Sequence, residues 1–139
     1  MTIDQILYEH IKNNLVITGS FEYGSGESLT SPYIIMIKVA DPERPETLCE
    51  EQGESGRAVF QFSGYAGGSN ADAANAASTL TYLDAFKEQV NKIKGEIGTT
   101  DKVLINNNIT TGVTVLNDGQ AENLAWGAIF ETTIWWGRV

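Results

Sequence analysis

Ser63-Gly-Tyr-Ala-Gly-Gly-Ser-Asn-Ala-Asp72 is where the chain changes its period. Before it, Ala58, Phe60 and Phe62 alternate with Arg57, Gln61 and Ser63, the two-residue repeat of a half-buried strand. After it, Ala76, Leu80, Leu83, Phe86, Val90, Ile93 and Ile97 recur every three or four positions. That spacing predicts one helix from Asp72 to Ile97, about seven turns long with a single apolar stripe. Ser69 with Asp72 resembles a capping box in which Asp replaces Glu.

Glycines between a strand and a helix can present backbone N–H groups to phosphate. Tyr65-Ala-Gly-Gly-Ser69 lacks the third glycine of a dinucleotide fingerprint and the Gly-Lys-Ser/Thr that holds a triphosphate. A plain turn is the expectation here.

Working toward the N-terminus, Tyr33 to Ala40 is an apolar, branched run of strand length, with Ile34, Met36 and Lys38 facing away from Tyr33, Ile35, Ile37 and Val39. Gly19 to Pro32 reads as a loop. Thr2-Ile-Asp-Gln5 has the capping-box form, and Ile3, Ile6, Leu7, Ile11 and Leu15 continue it as a helix from about Ile3 to Asn13. Between the two central strands, residues 41–56 form an acidic excursion. It carries Asp41, Glu43, Glu46, Glu50, Glu51 and Glu54 against the single base Arg44. These carboxylates lack the Asp-x-Asp-x-Asp-Gly spacing that wraps calcium, so a solvated or partner-contacting loop is expected and no metal.

Toward the C-terminus, Gly98 to Asp101 turns the chain, and Val103 to Ile105 and Ile109 to Leu116 read as strands. Asn106 to Asn108 interrupts them with an expected bend or bulge. In the last strand Trp126, Ala128, Phe130, Thr132, Ile134 and Trp136 form a core face. Gly127, Ile129, Glu131, Thr133 and Trp135 form a mixed one. Ile129 and Trp135 are bulky apolar groups that hint at an oligomer interface, to which Glu50 and Glu51 of the excursion are added as candidates. The expected fold is a single α+β domain over residues 1–139. It has a mainly antiparallel four-stranded sheet, a long helix on one face, and the order α-β-β-α-β-β.

Bulk properties limit the function classes. The chain has 139 residues and a net charge of −9, a surface that repels a phosphate backbone rather than binding it. The single cysteine, Cys49, has no partner for a disulfide, and Glu46, Glu50 and Glu51 around it raise its thiol pKa rather than activate it. The single histidine, His10, excludes any site needing two imidazoles, and a place on the helix surface is expected for it. No apolar run is long enough to span a membrane and no leader follows Met1, so a cytoplasmic site of synthesis is expected.

In plan the chain resembles the tail-terminator, or tail-completion, proteins of long-tailed bacteriophages. The resemblance rests on the N-terminal helix ending near Leu15, the strand Tyr33 to Ala40, the long excursion, and the strand Arg57 to Ala66 with Val59-Phe-Gln-Phe62. The Ala-rich helix from Asp72 and the closing Phe130-Glu-Thr-Thr-Ile-Trp-Trp136 complete it. The excursion and the asparagine run are where the chain departs most from that pattern. The resemblance implies a virion protein assembled in the host cytoplasm. It implies a ring, usually hexameric, that caps the tail tube, stops its polymerisation and meets the neck or head-completion proteins. DNA passes through such a ring without specific binding, and neither catalytic residue nor cofactor is implied. Two other readings stand beside it: a head-side neck or stopper protein, and a small-molecule binding domain using the Gly67-Gly68 turn with Tyr65 and Trp126.

Overall fold

The computed structural model describes residues 1–24, 30–43, 55–67, 73–117 and 126–139. In chain order these form α1 (Ile3–Asn14), β1 (Ser20–Tyr23), β2 (Tyr33–Glu43), β3 (Ser55–Tyr65), α2 (Ala73–Val90), β4 (Gly95–Ile97), β5 (Val103–Thr110), β6 (Thr114–Asn117) and β7 (Trp126–Arg138). The sheet runs β1-β2-β3-β7-β5-β4, with β6 also pairing β7. All pairs are antiparallel except β1 with β2.

This corrects the four-stranded expectation. The chain folds as a curled, mixed, seven-stranded half-barrel with two helices, not as a four-stranded antiparallel sheet under one long helix. Three elements account for the difference. The Gly- and Ser-rich stretch before Tyr33 holds β1, whose Phe21 is buried. The predicted Asp72–Ile97 helix stops at Val90, and its last apolar residue belongs to β4. The run Ile109 to Leu116 divides between β5 and β6.

The helix stops at Val90, and after residues 91–94 the chain enters β4 at Gly95. Gly95 has φ +80°, a backbone state that side-chain-bearing residues rarely enter, and it redirects the chain into β4. Ile93 and Ile97 are buried as the spacing predicts, but from a turn and a strand. Leu80, placed on the predicted stripe, is 41% exposed. Its neighbour in the stripe, Leu83, is fully buried and reaches Gly64 of β3, where an added Cβ would stand 3.2 Å from its Cδ1. The predicted Ser69/Asp72 cap lies outside the described residues.

At the other end of the chain α1 starts with the predicted capping box, Thr2 and Gln5 satisfying one another's backbone N–H groups. Its buried stripe is Ile3, Ile6, Leu7 and Ile11. Each such side chain contributes about 1.5–3 kcal/mol by leaving water. The core beneath the helices is aromatic: Phe62 stacks on Phe130 at 5.0 Å, and Phe86 of α2 meets both, at 5.4 and 6.0 Å. Phe21 and Tyr8 carry the cluster out to the β1 edge.

Two bulges shape β5 and β6. Ile105 pairs Trp136 and Asn107 pairs Trp135, so Asn106 is an extra residue in β5. The face on which the asparagines stand changes there: Asn108, rather than Asn107, points inward. Its side-chain amide donates to the carbonyls of Val90 and Ile93 at 2.8 and 3.2 Å, and its Oδ1 accepts from the Thr132 hydroxyl. The turn that follows α2 is thereby tied to the sheet. Farther on, Thr111 exchanges hydrogen bonds with Glu131 and Thr114 pairs Ile129, so Gly112 and Val113 together oppose Phe130. β5 and β6 thus run consecutively along the same side of β7, separated by this irregularity.

Candidate assembly surface

Both helices cover the same side of the sheet. Inward residues of the central strands, Phe60, Phe62, Ala128, Phe130, Thr132 and Ile134, are at most 1% exposed. The alternate residues make an outer face that no described element covers. The strand register sets them in rows: Ile35, Ser63 and Ile129; Ile37, Gln61 and Glu131; Val59, Thr133 and Ile109; Arg57, Trp135 and Asn107. Most are half-buried by their own neighbours, while Val39 and Ile109 at the flanks are 49% and 54% exposed.

The structure brings Ile129 and Trp135 onto this one face, as the alternation in β7 predicts, three rows apart with Glu131 and Thr133 between them. It adds Ile35, Ile37 and Val59, which the sequence reading does not single out as surface; the strand register is what makes them one surface with β7. The Arg57 guanidinium lies 5.9 Å from the Trp135 ring, a cation–π contact across strands. Glu131 stands between Gln61 of β3 and Thr111, and among the described residues no cation is within ion-pair distance of its carboxylate. Glu50 and Glu51 lie outside the described residues, as do Cys49 and Gly68.

Among the described residues the sheet is also open at its ends. There β1 and β4 each pair a strand on one side only, and no described strand pairs β2 beyond Met36 on the β1 side. Two register shifts bend this part of β2, and Pro42, which has no N–H to donate, sits within it.

Of the residues considered for a small-molecule site, Tyr65 packs on Tyr33 at 6.3 Å, Gly67 donates to the Ser31 hydroxyl, and Trp126 pairs Asn117 where β6 meets β7. His10 stands on the exposed part of α1 and lines a cavity of about 370 Å³ with Glu9, Glu96 and Asp101. Burial holds its imidazole below the ordinary 6.5. Asp101 in the same cavity is held below the usual carboxylate range by its hydrogen bond from the N-terminal amine, 2.7 Å away. Among the described residues no group of three or more His, Cys, Asp or Glu is placed to hold a metal ion. No helix among them is long and apolar enough to cross a membrane. No protein-family model and no curated protein matches the chain.

Proposed function

We propose that this protein is a structural component of a bacteriophage tail. It closes the end of the tail tube as a ring, stops tube growth and offers a surface to the neck or head-completion proteins. The observation that carries this reading is the outer face: among the described residues, a surface over four strands on which Ile35, Ile37, Val59, Ile109, Ile129 and Trp135 alternate with polar groups, with sheet edges beside it. A surface of that kind suits binding to protein, because burying its apolar area is favourable and its Glu131 and Arg57 call for charged or hydrogen-bonding groups across the contact. The resemblance in plan to tail terminators supplies the tail and the six-fold ring. The acidic balance of −9 suits a channel through which DNA slides without sticking. On this reading the protein acts by contact in the virion, and needs neither cofactor nor catalytic group.

The test is to add the purified protein to tail-tube subunits as they polymerise. Electron microscopy should show rings at tube ends and tubes that cease to lengthen. Tubes that grow unchanged and carry no ring would refute the tail reading. Binding to the head-side neck assembly instead would move the protein to the stopper class.

A further inference from the structure

The rows of the outer face have a symmetry of their own. β3 and β7 form its middle, with Gln61 opposite Glu131 and Val59 opposite Thr133. β2 and β5 flank them, bringing Val39 and Ile109, the most exposed apolar residues of the face, to its two sides near the Val59 row. Consider a two-fold axis running along the strands between β3 and β7. It would lay Gln61 of one copy on Glu131 of the other, Val59 on Thr133, and Val39 on Ile109. Two twisted sheets pack face to face with their strands within about 30° of each other, which is the arrangement this axis creates.

We propose that the free protein pairs with a second copy of itself through this face, about that axis, as a form in which the apolar surface is stored. Polar complementarity picks out a second copy as the occupant. Glu131 is the carboxylate among the register positions of the face, and Gln61, its cross-strand neighbour, carries an amide able to donate to it, so the axis sets one such pair between copies on each side. Four strands about 4.8 Å apart and eight residues at about 3.3 Å rise give a patch of about 500 Å² in projection. Its corrugated accessible surface is larger, and approaches the low end of specific interfaces, about 600 Å² per partner. We set its dissociation constant at about 10–100 μM, the weak, transient association that contacts of this size support. That suits storage. A closed ring about a single axis is built from head-to-tail contacts, and a ring that uses this same face for them forms only after the two-fold pair separates. The inference rests on the outer face being a self-contact, as in the reading above, and does not depend on the partner being a tail.

Sedimentation of the protein alone, from about 5 to 300 μM, should show monomer and dimer in exchange, a span chosen to bracket that constant. The geometry is then read by cross-linking in a Cys49→Ser background. Val39→Cys and Ile109→Cys lie three strands apart within one chain, about 14 Å at the usual strand spacing, too far for a disulfide. Mixed under oxidising conditions, the two single variants should yield a heterodimer well above the cross-linking of either alone. The double variant should yield a doubly linked dimer, with circular dichroism unchanged. Gln61→Glu, which sets carboxylate against carboxylate, should weaken the pair at least about tenfold, and Glu131→Gln added to it should restore it. Absence of dimer over the whole range, or cross-linking of the mixture no greater than of the singles, would overturn the proposal. A tube-capping protein that never dimerises would retain the tail reading and lose this one. A dimer that ignores tubes would do the reverse.

Discussion

Strands β3 and β7 have two faces, and the same backbone treats them differently. On one, Phe60, Phe62, Phe130 and Ile134 are sealed beneath α1 and α2. On the other, Val59, Ile129 and Trp135 are only half-covered, with Gln61 and Glu131 between them. Residue choice alone does not separate the faces, since both hold large apolar groups. What separates them is that both helices were delivered to one side. A surface left apolar after its own helices are placed points to partners outside the chain.

The largest effects should come from the sealed face. Leu83→Ala removes a fully buried side chain packed against β3 and should cost about 2–5 kcal/mol. Leu80→Ala, three residues earlier on the same helix but 41% exposed, should cost under about 0.5 kcal/mol. Urea unfolding of the two variants compares them directly, and equal losses would mean that α2 is rotated from the position described.

Next comes the polar link within that face. Asn108→Ala leaves the Val90 and Ile93 carbonyls without their buried donor and should destabilise by about 2–3 kcal/mol. Asn108→Asp should be worse, because it points a carboxylate at two carbonyl oxygens. Thermal unfolding that ranks Asp above Ala in stability would show that the side chain does not meet those carbonyls.

The outer face should respond in the opposite way. Trp135→Glu should strongly weaken self-association and ring formation while leaving circular dichroism and the unfolding midpoint close to wild type, since it removes the largest apolar side chain of the face and puts there a carboxylate, beside Arg57, that is costly to take out of water. Loss of the fold would place Trp135 in the core and end the contrast between faces. Retained association would remove it from the interface.

The smallest effect lies away from both faces, at His10. Burial lowers its folded pKa below 6.5, so the unfolded chain takes up the proton first. The neutral imidazole's contribution to stability is present above that value and is lost as pH falls from about 6.5 toward the lower folded pKa. Between pH 7 and 5, wild type should therefore lose more stability than His10→Gln, as followed by urea midpoints.

Much of the sealed face was legible before any coordinates. The alternation in Ala58 to Phe62 and in Ala128 to Trp136, and the capping box of α1, are local signals that the tertiary structure leaves intact. The four-stranded plan failed where local signals mislead. Ile93 and Ile97 keep helical spacing by accident, since a turn and a strand can bury residues four apart as well as a helix can. β1 is four residues long, too short for its alternation to stand out among glycines and serines. Ile129 and Trp135 were readable as surface candidates from period alone. Their neighbours Ile35, Ile37 and Val59 were not, because the strand order and register that place them beside β7 are non-local.

One contact joins regions that the strand map keeps apart. The side-chain amide of Gln89 on α2 takes both backbone groups of Val16, its Oε1 accepting from the N–H at 2.8 Å and its Nε2 donating to the carbonyl at 2.7 Å, across 73 residues of sequence. The Tyr82 hydroxyl holds the Thr18 carbonyl in the same way. Burial pushes that phenol up to about 12, so it remains a donor through the physiological range. In the language of hydrogen exchange, Leu15 at the α1–β1 junction is protected by α1 through the Ile11 carbonyl, whereas the next residue depends on α2. The amide of Val16 is shielded only while α2 is docked, so it should exchange with solvent at the opening rate of that helix, as part of one cooperative unit rather than as a surface loop.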